Sequence, residues 1–315
     1  MTSQIRIMRA VLDDLYQSPT LLLVLTTLFW AGNVIAGQLA LGEITPLQLV
    51  LFRWVGVLLI LWPLYAGEVR KHWPIARPRI GRIIVTSVSG FTLFNILFYW
   101  GSETTSAVNI GILQGSIPVF TMIGAFFFLG VRAGFVQLIG VGITLIGVVL
   151  VASGGSPLDL LQLQINQGDL LMLIACFLYA AYTVMLVGRP AMPDTVFFTL
   201  LATVSALTAL PPAIIEFFVA ENYSWPTLQG WLLVIYVAVF PSWLAQLFFL
   251  RGVDLIGPGR AGVYANLVPV FAAAMAVGLL GQPFETYHAV AIVAVIGGIA
   301  LAQNAPRPRE ATGRG

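Results

Sequence analysis

Three observations predict an all-α integral membrane protein with ten transmembrane helices in two five-helix halves. The first is composition: of 315 residues, 59% are hydrophobic and 9% charged, where a soluble domain is about 45–50% apolar and about 25% charged. The second is spacing. Apolar runs long enough to cross a bilayer, about 20 residues each, recur with breaks of only a few residues. The third is that the sequence matches itself when slid by roughly half its length. Such a chain is no ordinary cytosolic enzyme, nucleic-acid binder or disordered protein. A net charge of +2 asks for no polyanionic partner. The single cysteine, Cys176, excludes a disulfide framework and a multi-cysteine metal site, and two histidines, His72 and His288, leave little for histidine chemistry.

Taken in order, the first eighteen residues are polar and mixed in charge (Arg6, Arg9, Asp13, Asp14). The apolar run after them is too long for a signal-peptide core and reads as an uncleaved first span. The expected helices are 19–40, 46–66, 81–101, 104–129, 134–153, 168–188, 195–218, 227–250, 259–280 and 286–304. The short breaks 41–45, 102–103, 130–133, 189–194 and 281–285 make neighbours antiparallel. Residues 1–153 are then a first half, 154–167 a periplasmic linker, 168–304 a second half, and 305–315 a disordered cytoplasmic tail. With the N-terminus inside, fourteen of the fifteen Lys and Arg fall on cytoplasmic segments or within a turn of them. The opposite loops carry acids such as Glu43, Glu103, Asp159, Glu221 and Glu285. This positive-inside pattern places both termini in the cytoplasm and suits a bacterial-type inner membrane. Trp62, Trp73, Trp225, Trp231 and Tyr287 sit where interfacial aromatics anchor spans.

A shift of 151 residues superposes Gly101 on Gly252, Gly111 on Gly262, Gly130 on Gly281, Gly147 on Gly298 and Pro118-Val119-Phe120 on Pro269-Val270-Phe271. A shift of 149 puts Trp30-Ala31 on Tyr179-Ala180. Five helices per half is an odd number, so tandem copies must sit in opposite orientations. Inverted repeats of this kind build secondary transporters, whose two near-equivalent packings give inward-open and outward-open states.

The stretch Thr104-Thr105-Ser106-Ala107, then Pro118, then Phe128-Leu129-Gly130, resembles the EamA-type module of the drug/metabolite transporter superfamily. Gly259 to Pro269, with the sequence GRAGVYANLVP, is similar to the more diagnostic half of the same module. The resemblance spans about 19–304 and is strongest to YddG-type exporters of aromatic amino acids. It implies ten helices, inverted repeats, and a central cavity lined by the first, third, fourth, sixth, eighth and ninth helices. Many members carry a Glu after the Phe-Leu-Gly; here Val131 and Gln282 stand there, so no role of that Glu transfers.

Polar and aromatic residues in mid-span are the expected substrate contacts: Trp30, Asn33, Asn95, Tyr99, Gln114, Tyr179, Tyr182, Trp243, Gln246, Tyr264 and Asn266, with Ser116, Thr183 and Ser242 beside them. Each amide must find a partner in hydrocarbon, so interhelical hydrogen bonding competes with substrate binding as its reason. Aromatics plus amides suit a zwitterion with a flat apolar side chain, and suit a phosphate poorly for want of several Arg or Lys. Pro118 and Pro269, inside expected helices at repeat-equivalent positions, read as paired hinges or as static kinks. Glycine spacings such as Gly111 and Gly115 read as close-packing faces. Arg53 is the one basic residue within a span. It is either half of a structural pair, with Glu43 or a helix carbonyl, or a guide for a substrate carboxylate; its repeat counterpart is Ala202, so it belongs to no symmetric site.

No acid falls at mid-membrane; Glu103, Asp169 and Glu216 lie near the outward surface, which favours facilitated over proton-coupled transport. No catalytic residue, metal site, cofactor or nucleotide motif emerges. The expected function is export of aromatic and other large apolar amino acids by alternating access. Its partners are a small-molecule substrate and the bilayer, and a monomer suffices. A multidrug or other metabolite exporter is the nearer alternative, and a membrane-embedded transferase the remote one.

Overall fold

The computed structural model describes residues 16–104, 114, 116–131, 134–152, 167–220, 223–280 and 286–304. Every regular element among them is helical. They are α1 (Pro19–Leu39), α2 (Pro46–Ala76), α3 (Ile80–Ser87), α4 (Phe94–Thr104), α5 (Ile117–Leu129), α6 (Phe135–Ala152), α7 (Gln167–Met185), α8 (Asp194–Val219), α9 (Leu228–Val237), α10 (Ala245–Ile256), α11 (Pro258–Val263), α12 (Leu267–Leu280) and α13 (Thr286–Asn304). A π-helical segment, Val88–Leu93, joins α3 to α4, and another, Ala238–Leu244, joins α9 to α10. Four helical runs are long and apolar enough to cross a membrane by length and composition: Pro19–Leu39, Pro46–Thr104, Asp194–Val219 and Leu228–Ile256.

Local chemistry sets the helix starts. Ser18 accepts the Leu21 N–H ahead of Pro19. Thr45 and Gln48 form a reciprocal capping box around Pro46, and Thr227 accepts the Gly230 N–H. Each satisfies a donor that has no partner inside the helix.

Several boundaries differ from expectation. The connection expected at 67–80 is helical to Ala76 and continues through a 3-10 turn, Arg77–Arg79. Leaving hydrocarbon does not end a helix when its next turn is a good one in water, and here Glu68 lies 3.6 Å from both Lys71 and His72 along that turn. The run expected to stop at 250 likewise reaches Ile256. Both prolines follow a local break in regular α-helix. Pro118 comes just after a turn at Ser116, at the start of α5. Pro269 lies within one helical run, residues 258–280, whose regular α-helix is interrupted by a 3-10 turn at Tyr264–Asn266 just before it. A proline cannot donate to the preceding turn, so an interruption at that place is expected. The N-terminal stretch to 15, the linker up to 166, the tail from 305, and Gly111 and Gly115 lie outside the described residues.

The two π segments occupy repeat-equivalent places. Val88 shifted by 150 falls on Ala238, and Phe94, the first residue after its segment, shifted by 151 falls on Ala245. The second segment is one residue longer, seven against six. A π-turn leaves carbonyls without their usual partner, and in an apolar bundle something local must serve them. Asn95 Nδ2 donates to Phe91 O at 2.5 Å, and Ser242 Oγ donates to Val237 O at 2.5 Å. A hydroxyl chain through Ser87, Ser205, Thr92 and Thr208 ties the first segment to α8, with steps of 2.7–3.2 Å.

The bundle buries a number of polar side chains within an apolar core and exposes large apolar ones. Buried positions include Thr26, Gln48, Arg53, Ser87, Asn95 and Gln246, while Leu59 is 73% and Phe128 82% exposed. That inversion suits a lipid surround. One end carries Glu43, Glu103 and Glu216, where Thr227 bonds Glu43 and Thr45 bonds Glu216 at 2.7 Å. The other end is basic. There Arg189 pairs with Asp194 at 2.6 Å and with Asp254, Arg82 donates to the Met185 and Val187 carbonyls, and Arg251 reaches Gln17 at 2.6 Å. Tyr16 donates to Asp194 at 3.3 Å, and burial together with that carboxylate pushes its hydroxyl up to about 12, so it remains a donor.

Glycine lets helices touch. A Cβ on Gly90 would fall within the Tyr182 ring, and one on Gly298 would lie 2.6 Å from Gly140 O. Gly90→Ala is therefore expected to cost about 1–3 kcal/mol by overpacking, read as a lower thermal midpoint in detergent. Arg189→Ala is expected to lower the midpoint by about 1–2 kcal/mol equivalent, after discounting for solvent screening at half-exposed Asp254. Wild-type protein should lose most of that margin in high salt if the bond is ionic.

Candidate functional site

Arg53 occupies the middle of the bundle and is 3% exposed. Removing a guanidinium from water costs several kcal/mol unless its donors are met. Nε donates to Ser242 Oγ, and Nη1 donates to Asn95 Oδ1 at 2.7 Å, Tyr99 OH at 3.2 Å and Asn33 Oδ1 at 3.5 Å. Tyr99 OH in turn donates to Asn33 Oδ1 at 2.8 Å. Bonds to a charged donor contribute about 1.5–3 kcal/mol each, so this shell offsets the desolvation. Its members come from α1 (Asn33), α4 (Asn95, Tyr99) and the second π segment (Ser242). Asn95 follows the first π segment and Ser242 lies in the second, so the same two side chains serve π carbonyls and hold the arginine.

Every one of these acceptors is neutral. Among the described residues no carboxylate pairs with Arg53. The expected partnership with Glu43 does not form: Glu43 sits at the acidic end and accepts from Thr227. The sequence offered an acid ten residues upstream, but the short turn before α2 holds it at the bundle's end.

Arg53 faces a cavity of about 40 Å³ walled by Trp30, Phe94, Phe98 and Tyr179, with Asn33, Asn95, Gln114 and Gln246 among them. The rings interlock: Trp30 meets Tyr179 edge-on at 5.4 Å, and Tyr179 lies 4.8 Å from Phe94 and 5.3 Å from Tyr182. Asn95 shifted by 151 is Gln246, so the two halves contribute equivalent amides to one space. Forty cubic ångströms holds roughly three waters, whereas pockets for small molecules run from about 300 Å³.

A second space, about 290 Å³, opens at the acidic end between α1, α2 and α4, lined by Gly37, Thr45, Tyr99, Trp100, Glu103 and Glu216 among others. Tyr99 lines this vestibule and bonds Arg53, which lines the inner cavity. The Arg53–Tyr99–Asn33 contacts thus form the partition between the two.

Of the expected contacts, Trp30, Asn33, Asn95, Gln114, Tyr179 and Gln246 gather on the inner cavity with Arg53. Tyr99 stands at the partition. Tyr182 is one layer behind, its hydroxyl donating to Gln246 Oε1 at 3.3 Å. Trp243 lies off the cavity wall, its buried Nε1 without an acceptor among the described residues. Tyr264 also lies off that wall: it is buried toward the basic end, where its hydroxyl donates to Thr20 Oγ1 at 3.4 Å. The Asn266 side chain falls outside the described residues. Phe94 and Phe98 were not anticipated, because a phenylalanine in an apolar helix carries no polar signal. Their spacing, one residue before Asn95 and Tyr99 on each turn, was the available clue.

Comparison with known proteins agrees with this architecture. The model of the EamA-like transporter family matches twice, at residues 17–153 and 166–303. The Bacillus subtilis protein named uncharacterized transporter YetK is 28% identical over 239 residues, 73% of this chain and 70% of its own. A Streptantibioticus cattleyicolor protein named probable terminal-alkyne amino-acid exporter is 28% identical over 133 residues, 42% of this chain and 44% of its own. One crystal structure superposes with a TM-score of 0.72 at 18% identity, covering 90% of this chain and 96% of that one, and so shares the fold. With both halves matched by one family model and the helices enclosing a polar, aromatic-walled interior, the chain belongs to the EamA-like transporter family of membrane proteins.

Proposed function

We propose that the protein exports aromatic and other large apolar amino acids across a bacterial-type inner membrane, with both termini cytoplasmic. Ten helices in two inverted five-helix repeats alternate access to the inner cavity. The observation that carries this reading is the composition of that cavity: four aromatic rings, four side-chain amides and one buried guanidinium without an anion. Rings accept a flat side chain edge-on or stacked, amides meet an ammonium, and a guanidinium meets a carboxylate in a fork. Asn95 and Gln246, 151 residues apart, both line the inner cavity, which supports exchange between two packings related by a pseudo-two-fold axis. The amino-acid export named for the Streptantibioticus cattleyicolor relative supports the solute class.

The inner cavity holds no carboxylate among the described residues, which supports movement down a solute gradient without proton coupling. A second reading, export of cationic compounds, draws on Glu103 and Glu216 in the vestibule. It fits less well, because the deeper cavity carries positive charge.

Purified protein in proteoliposomes is expected to show saturable uptake of labelled tryptophan and phenylalanine without a pH gradient, against alanine and a cationic dye as controls. Dye uptake with no aromatic uptake would replace this reading with the cationic one. Uptake that needs a gradient would direct attention to Glu216. Tyr179→Ala and Gln246→Ala are each expected to lower kcat/KM for tryptophan at least tenfold, about 1.4 kcal/mol or more, with the protein still folded by thermal melting.

A further inference from the structure

Arg53 stands between two spaces, and among the described residues no carboxylate pairs with it, Glu103 and Glu216 of the vestibule included. On one side is the vestibule, which Tyr99 lines; on the other is the smaller cavity that Arg53 lines. One asparagine oxygen, Asn33 Oδ1, accepts from both Tyr99 and Arg53, so three side chains on α1, α2 and α4 are tied at one point. The Tyr99 ring lies flat against Gly37 of α1, where an added Cβ would be 3.4 Å from it. Tyr99 lines the vestibule while Arg53 and Asn33 line a cavity too small for an amino acid, so the contact joins the walls of the two spaces.

Resting on the carrier reading above, we infer that the Arg53–Tyr99–Asn33 contact is a latch that a substrate carboxylate releases. A carboxylate is a stronger acceptor for guanidinium than a phenol or an amide, by roughly twofold per bond. On reaching Arg53, it takes the Nη donors while Nε stays anchored on Ser242. Tyr99 and Asn33 lose their shared partner, α4 parts from α1, and vestibule and cavity merge. The free energy for opening comes from a differential interaction, as any ligand-driven shift requires: with the latch closed the Nη1 donor is spent on neutral groups, and with it open the donors meet an anion. The carboxylate is then a condition of opening as well as a binding contact, and carboxylate-free analogues leave the latch closed.

The test is ligand-dependent thermal stabilisation of the full-length purified protein. The probes are phenylalanine, 3-phenylpropionate, phenethylamine, alanine and propionate, against wild type, Arg53→Gln and Tyr99→Phe. In wild type phenylalanine and 3-phenylpropionate are expected to bind at least tenfold more tightly than phenethylamine. Arg53→Gln should abolish that preference. Tyr99→Phe should tighten carboxylate binding at least threefold and keep the preference, because less of the binding energy goes into opening; a merely structural tyrosine would weaken every ligand. Phenethylamine binding as tightly as phenylalanine overturns the latch, as does Tyr99→Phe weakening carboxylates, an unchanged preference in Arg53→Gln, or no carboxylate binding at all. If alanine and propionate bind with the expected pattern and the aromatic compounds do not, the latch stands and the aromatic reading falls. If phenylalanine binds indifferently to both substitutions, the carrier reading stands and the latch falls.

Discussion

A guanidinium shut away from water must be given acceptors by whatever surrounds it, and in a bundle bathed in lipid the surroundings are other helices. Arg53 therefore dictates what its neighbours contain. Asn33, Asn95, Tyr99 and Ser242 converge on it from three other elements, three of them on Nη1 and Ser242 on Nε. The stacking of Trp54 on Phe91 at 4.6 Å, with the arginine 5.4 Å from the Trp54 ring centre, packs the same layer from beneath. The inner cavity is the space left where these polar groups crowd out aliphatic side chains.

The π segments make that convergence possible. An ordinary helix spaces its side chains at a fixed angle; a π-turn lets the chain widen locally and sets the next residues in a new direction. Asn95 and Ser242 both repair the carbonyls so exposed and both hold Arg53, so backbone irregularity and site chemistry are met by the same atoms. The prolines suggested as hinges each follow a local break, a turn at Ser116 and a 3-10 turn at Tyr264–Asn266. If the bundle bends during transport, the π segments are the points in the described helices where hydrogen bonding is already loosened.

Much of this was legible from the residues. Long apolar runs, charge asymmetry and self-similarity exposed helices and halves, and mid-span amides and aromatics marked six of the cavity residues in advance. What escaped did so for physical reasons. Helix ends outside hydrocarbon, as at 67–76 and 251–256, are set by solvated capping and ion pairs that hydropathy ignores. Tyr264 reads the same as Tyr179 along the chain, and only the turn before α12 sends it toward Thr20. Phe94 and Phe98 were hidden among other apolar residues, since a cavity wall and a packing face are written in the same alphabet. Arg53 was visible as an anomaly, but its partners lie 20, 42, 46 and 189 residues away.

The unequal π segments bear on how the two halves should be compared. An extra residue in a regular helix would turn everything after it by about 100°, and selection would confine such insertions to loops. A π-turn absorbs the residue where it falls. The offset between halves can thus pass from 150 at Val88 to 151 at Asn95 while equivalent side chains stay on equivalent faces. An alignment of these halves that admits gaps only in loops will misplace Gln246 relative to Asn95; the gap belongs inside the helix, at Ala238–Leu244.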